Sequence, residues 1–368
     1  MNFNLSKSDL IRLNKLLETN EMNYNIGEMY QYYYHNLARK ITQKDINAQM
    51  KLNNLSEEEA YFFLLMSLLE IDISDNESLE LAKSYCLSGI KKLNIKEYIN
   101  NPYLKNIKFD KNKLKNIRIE YDEYLPYEGF PSDDLVVDED NYFQEKYQLG
   151  YFTSKFSFQS ITHNNITWMS IIPNEIETMK DAIEIVKGNV LVYGLGLGYF
   201  PYMVSLKNDV TKITIIEKDP NIISLFKKVI LPQFKNQNKI AIIQEDAFNY
   251  ERTSKDQYDY AFVDLHHGDF DGIKIYTRFK KLELRSPNYI YWLEQTLINV
   301  IRRNLITIIY EQVNNISCNY NDAKDFNDKL INALYKQIKN KTFSSYQEIH
   351  NLLKEESIKT LIKEIETI

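Results

Sequence analysis

Three glycines, Gly194, Gly196 and Gly198, stand two residues apart directly after the apolar run Val190-Leu191-Val192-Tyr193. The whole chain holds only 10 glycines, so this cluster asks for a turn whose backbone bends sharply and approaches a ligand closely. Glu217 closes the next apolar run, residues 213–216, where a carboxylate can accept hydrogen bonds from ribose hydroxyls. Asp246-Ala247 follows a third apolar run, residues 240–243, and Asp264 ends a fourth, Tyr260–Val263. Asp264-Leu265-His266-His267-Gly268-Asp269 then sets two imidazoles beside a carboxylate. Histidine titrates near neutrality and is a frequent general base. Asp264, His266 and His267 are therefore the candidate catalytic residues. Each feature also has a purely structural reading. Gly198 can permit close helix–sheet packing, Glu217 can cap a helix beginning near Asn221, and Asp246 is a favoured N-cap type.

The glycine pattern is G-x-G-x-G, with the bulky Tyr199 where a dinucleotide fingerprint needs its third small residue. That argues against NAD or FAD. An apolar strand running into G-x-G-x-G, with an acidic residue closing the next strand, resembles the class I S-adenosylmethionine-dependent methyltransferases. The resemblance covers residues 166–295 and implies S-adenosylmethionine as cofactor. It places Tyr193, Gly194, Gly196 and Gly198 beneath the methionine part. It sets Glu217 and Lys218 at the ribose, Asp246 and Ala247 at the adenine, and Asp264 facing the transferred methyl. The loop before the first strand often forms part of such pockets, which makes Trp168, Met169, Asn174 and Glu175 the candidate acceptor-side residues. The implied activity is methyl transfer to an unassigned acceptor: small molecule, protein or RNA.

A second reading is an aminopropyltransferase resembling spermidine synthase, which shares this architecture, a preceding hairpin and a Tyr-Asp-x-x-x-x-Asp stretch. Tyr258-Asp259-Tyr260-Ala261-Phe262-Val263-Asp264 is similar to that stretch. That family continues with a Ser/Asp-Pro run, whereas this chain continues Leu265-His266-His267-Gly268. Polyamine binding also requires converging acids, so this reading ranks second. A third is a non-catalytic cofactor-binding or interaction protein. The basic residues Lys274, Arg278, Lys281 and Arg285 share one helix face opposite Ile275, Phe279 and Leu282. A solvated face explains them; an anionic-substrate site is the sharper alternative.

These residues need a scaffold. Strand and helix alternate at short intervals from residue 189 onward, which implies right-handed crossovers and a parallel sheet. The expected fold is α/β, a Rossmann-like, doubly wound, mostly parallel sheet. Residues 288–292 can supply a fifth strand; no sixth or seventh is legible. A helix led by Pro173, with Asn174 and Glu177 in capping-box spacing, should precede the first strand. Phe156 and Phe158, then Ile166, Trp168 and Ile171, suggest a β-hairpin around a His163-Asn164-Asn165 turn. Residues 1–118 read as a helical accessory domain. Ser8 caps its first helix, and Ser56 with Glu59 forms a capping box ahead of a buried apolar helix. The acidic residues 119–165 read as a connecting segment and hairpin, the Asp133–Asp140 run being a solvated loop. The cofactor domain then spans 166–300, and 301–368 is a helical extension with Ser345 and Glu348 capping its last long helix.

Composition narrows the classes further. The formal charge of −6 argues against a generally basic nucleic-acid binder. Cys86 and Cys318 match no metal spacing, and no metal ligand is assigned, with a metal-binding role for the His266-His267 loop left as an alternative to a catalytic one. The most apolar run, residues 60–71, is too short for a membrane span, which needs about 20 residues. With no signal-peptide pattern at the N-terminus, a cytoplasmic protein is expected. Oligomeric state, including a homo-oligomer, is left open.

Overall fold

The computed structural model describes residues 1–108, 117–163, 166–266, 268–283, 287–316 and 325–365. At its centre is a five-stranded sheet: β1 (Gly188–Tyr193), β2 (Val210–Glu217), β3 (Ile240–Gln244), β4 (Tyr260–Val263) and β5 (Asn288–Tyr291). The order is β3-β2-β1-β4-β5, and every pairing is parallel. Alternation explains the layers. Val190 and Val192 point into one apolar cluster with Phe200, Phe226 and Phe262. Leu191 and Tyr193 point into another with Phe279, Ile298 and Ile301. Both faces are buried, so the strands read as continuous apolar runs flanked by helices. The Rossmann-like α/β expectation agrees with this arrangement, and among the described residues the sheet stops at five strands.

The hairpin forms as expected, Phe156–His163 against Ile166–Ser170, antiparallel. A further strand, Ile117–Tyr124, pairs antiparallel along the full length of Phe156–His163. Residues from 119 read in sequence as a connection on their acidic composition, yet Ile119 and Tyr121 alternate with Glu120 and Asp122 as a half-exposed strand requires. The acidic run also departs from the solvated loop expected. Glu139 receives Arg302 at 3.4 Å, Glu145 forms a close ion pair with Arg303, and Asp134 accepts the Thr296 hydroxyl at 2.6 Å. The three partners sit on the Glu294–Val313 helix. Their countercharge lies some 160 residues away in sequence, beyond the reach of local patterning.

The N-terminal region is helical, led by the 30-residue helix Lys7–Asn36. Its cap is Ser6, not Ser8, because Ser6 and Asp9 form the reciprocal box. Ser56 and Glu59 form the expected box, and Ala60, Tyr61, Phe62, Leu65 and Met66 are buried behind it. The Pro173–Thr178 helix has Ile172 at its N-cap with no side-chain cap, so Asn174 and Glu177 make no box there. Glu177 instead accepts the Tyr98 hydroxyl at 2.8 Å. At the other end, Glu294–Val313 runs unbroken through residue 300, and Ser345 caps Tyr346–Leu353, with Glu355–Glu364 beyond it. These helices share the apolar cluster of one sheet face. No helix among the described residues is long and apolar enough to cross a membrane.

Candidate functional site

A cavity of about 350 Å³ opens at the C-terminal ends of the central strands, where ligands bind in open parallel sheets. Gly194, Gly196 and Gly198 form its floor, Glu217 and Lys218 the end of β2, and Asp246 and Ala247 the end of β3. Asp264, Leu265 and His266 follow β4, and Glu175 enters from the Pro173–Thr178 helix.

The glycine turn is dictated by crowding. Gly194 has φ +91°, and a Cβ there would stand 1.9 Å from the Asp264 carbonyl oxygen. Gly198 has φ +74° and lies against the Phe226 ring, 2.4 Å from where a Cβ would be. Gly196 differs: at φ +52° its Cβ would meet only the Met169 sulfur, at 3.6 Å. Protein packing therefore requires glycine at 194 and 198, while position 196 is bare towards the cavity. Such a backbone cradle fits the close approach of a ligand.

Glu217 is the hub of the turn. Its Oε2 accepts the Leu195 amide at 3.1 Å and its Oε1 accepts the Asp219 amide at 2.8 Å. It does not cap the following helix; Asp219 does, accepting the Asn221 amide at 2.7 Å. Asp246 caps Ala247–Thr253 through one oxygen, accepting the Asn249 amide at 3.0 Å, and still lines the cavity. One side chain thus both caps a helix and lines the cavity.

Three acids converge. Burial and the neighbouring Glu217 carboxylate raise Asp264 from its usual 3.8 to about 7. Burial, then the nearby Asp264, pushes Glu175 well above the carboxylate range, opposed by a hydrogen bond from the Ser170 backbone. Like charges in a poorly solvated space disfavour the charged forms of Asp264 and Glu175. Glu245 and Asp271 also line the cavity, and Lys218 is the one lysine or arginine among the described lining residues.

His266 lines the cavity, but its Nε2 lies 3.2 Å from the Trp292 carbonyl and its ring stacks on the Trp292 indole at 5.3 Å. A carbonyl only accepts, so this contact places the proton on Nε2. Trp292 in turn donates from Nε1 to Thr178 Oγ1 at 2.8 Å. The pair forms a braced wall. His267 and Arg285 lie outside the described residues, as does the Trp168 side chain.

Two expected site residues are not brought to the cavity. Tyr193 faces the opposite layer, where its hydroxyl donates to buried Glu251, because alternation along β1 sends Val192 rather than Tyr193 to the cavity side. Asn174 is not among the lining residues, and its carbonyl accepts the Thr178 hydroxyl within the helix. Of the basic helix, Arg278 packs over Phe248 at 4.5 Å and Lys274 over Phe326 at 5.9 Å. Sequence reasoning missed Trp292, Asp271, Glu245 and Phe248 as lining residues. Trp292 carried a faint signal, ending an apolar strand in a chain with two tryptophans.

The sequence model of the spermine/spermidine synthase domain matches residues 182–280, 99 of the 368. The matched stretch contains the glycine turn, Glu217, Asp246 and Asp264. No curated protein matches the chain by sequence. Among solved structures, the chain is similar to spermidine synthase from Thermotoga maritima, at 15% identity and TM-score 0.29, covering 40% of this chain and 59% of that one. It is also similar to a spermidine synthase in complex with the transition state analogue AdoDATO, at 15% identity and TM-score 0.31, covering 40% and 60%. The chain thus spans about three fifths of the length of these proteins.

Proposed function

We propose that this chain is an aminopropyltransferase of the spermidine-synthase type, moving an aminopropyl group from decarboxylated S-adenosylmethionine to an amine. The observation that carries this is the convergence of Glu175, Glu217 and Asp264 in one cavity with Lys218 as its single lysine or arginine among the described lining residues. S-adenosylmethionine would bring its own carboxylate into that acidic surrounding, which like charge disfavours. The decarboxylated donor ends in an ammonium, which the same acids stabilise, as they do an amine acceptor. The domain match over residues 182–280 supports the same choice. For methyl transfer, the first reading from sequence, Lys218 is the one lysine or arginine among the described lining residues that could receive the donor carboxylate. The acids that polyamine chemistry requires are present after all, two contributed by strand ends and one by the helix ahead of β1.

When bound, the sulfonium donor supplies a carbon activated by a thioether leaving group. The resemblance supplies the residues that would hold it, all of which line the cavity: the bare backbone at Gly196 would admit it, Glu217 would take its ribose, and Asp246 with the Ala247 amide would flank its base. Asp264, raised to about 7, would take a proton from the acceptor ammonium near neutral pH, leaving the neutral amine whose lone pair forms the new C–N bond as the C–S bond of the sulfonium breaks and the thioether departs. Glu175 lines the same cavity and brings a further carboxyl group to the wall that would face the donor ammonium. Trp292, braced by His266 and Thr178, walls off water on the acceptor side.

Calorimetric titration with the two donors tests this. Binding of the decarboxylated form should be at least about tenfold tighter than that of S-adenosylmethionine. Equal affinities, or tighter binding of the carboxylated form, would overturn the assignment.

A further inference from the structure

The segment following the N-terminal helices touches both walls of the cavity from outside. The short helices Ile95–Ile99 and Pro102–Asn106 carry Tyr98 and Tyr103, both buried. Tyr103 donates its hydroxyl to the Leu197 carbonyl at 2.5 Å. Leu197 lies inside the glycine turn, between Gly196 and Gly198. Leu197 stands before the Gly198 N-cap, whose carbonyl takes the first helical bond, from the Tyr202 amide at 3.0 Å. The Leu197 carbonyl therefore lies outside the helical ladder, and Tyr103 satisfies it from a distant part of the chain.

Neighbouring contacts repeat the theme. Asn101 donates to the Tyr199 hydroxyl at 2.9 Å, and Asn106 to the Tyr202 hydroxyl at 3.0 Å. Asn101 also caps its own helix by accepting the Tyr103 amide at 2.9 Å, which fixes the approach of Tyr103. On the opposite wall, Tyr98 donates to Glu177 at 2.8 Å, on the helix that presents Glu175 to the cavity. The carboxylate of Glu177 is further held by Lys180.

We infer that residues 94–108 form a strap that positions the cavity from outside, with Tyr103 setting the donor-binding turn and Tyr98 setting the acid-bearing wall. Both are positioning residues: neither lines the cavity. The donor and acceptor roles of the two walls rest on the aminopropyltransferase reading; the mechanical link does not.

The test uses the full chain with Tyr103→Phe and Tyr98→Phe. Each removes one hydroxyl and keeps the ring that fills its buried site. Without ligand, hydrogen exchange of the 194–199 amides should quicken at least about fivefold in Tyr103→Phe, with the Glu57–Leu68 helix unchanged. In turnover assays, Tyr103→Phe should raise the donor KM about tenfold and leave kcat within about twofold. Tyr98→Phe should lower kcat and leave the donor KM within about twofold. Unchanged exchange in the turn overturns the strap, and so does a general loosening that reaches residues 57–68. Two variants that shift the same kinetic constant also overturn it, since that marks two ordinary core contacts. Failure of the wild type to bind or consume the decarboxylated donor would instead overturn the functional reading, and the exchange measurement would still decide the strap.

Discussion

Glu217 and Leu195 are joined across the glycine turn. The Glu217 Oε2 accepts the Leu195 backbone N–H at 3.1 Å, so the carboxylate that faces the cavity also fixes the backbone that floors it. Its second oxygen, on the Asp219 amide at 2.8 Å, locks the side chain's direction. Hydrogen bonds to charged groups are worth roughly 1.5–3 kcal/mol each. Glu217→Ala should therefore weaken donor binding by about 10- to 100-fold in calorimetry. Unchanged affinity would show that the carboxylate serves the fold alone.

The glycines should separate packing from ligand approach. Gly196→Ala meets nothing closer than the Met169 sulfur at 3.6 Å, so its stability loss should be limited to the left-handed backbone, about 1–2 kcal/mol. Donor binding should nevertheless disappear, because the methyl group projects into the cavity. Gly194→Ala drives a Cβ to 1.9 Å from the Asp264 carbonyl and should destabilise the chain by more than about 3 kcal/mol. Chemical denaturation beside calorimetry checks both, and donor binding retained by Gly196→Ala would contradict the cradle.

Asp264 sets the pH behaviour. Its pKa in the folded chain is raised to about 7 by burial and then by Glu217, against a usual value of 3.8. An acid that holds its proton more tightly when folded supports the fold at low pH. That support is full below the unfolded pKa and is lost as pH rises through about 7. Asp264→Asn removes the dependence. Relative to wild type, the variant should gain roughly 2–4 kcal/mol between about pH 4 and pH 8 in denaturant titrations. Turnover by the wild type should rise over the same upper limb, as the base ionises. A flat stability difference would contradict the burial of a coupled acid there.

Tyr193 gives the converse case. It sits beside the glycine turn in sequence, yet its hydroxyl donates to Glu251, which also receives Tyr289 at 2.7 Å. Tyr193→Phe leaves a buried carboxylate with one donor fewer. It should lower stability by about 1–3 kcal/mol and leave the donor Kd unchanged. A change in donor affinity at constant stability would return Tyr193 to the site.

The parts of the site legible in the sequence are those that local pattern specifies. The apolar runs of β1, β2, β3 and β4 fix where strands end, and Gly194, Glu217, Asp246 and Asp264 lie at those ends. Position along a strand also decides the facing, and neglect of that alternation put Tyr193 in the cavity. What stayed hidden depends on contacts distant in sequence. Tyr103 reaches Leu197 across 94 residues, and Trp292 reaches Thr178 across 114. Glu139 and Glu145 look like surface charges until Arg302 and Arg303 are placed against them. The acidity of the cavity was hidden for the same reason. Glu175 and Asp264 are far apart in the chain, and only the fold shows that their carboxyls share one poorly solvated space.

Product analysis tests aminopropyl transfer most directly. The full chain is incubated with decarboxylated S-adenosylmethionine and a panel of aliphatic amines, and methylthioadenosine release is followed together with product mass. The expected result is release that depends on the amine, with the product longer by one aminopropyl group and no turnover in Asp264→Asn. Methyl transfer from S-adenosylmethionine, with no methylthioadenosine formed from the decarboxylated donor, would contradict it.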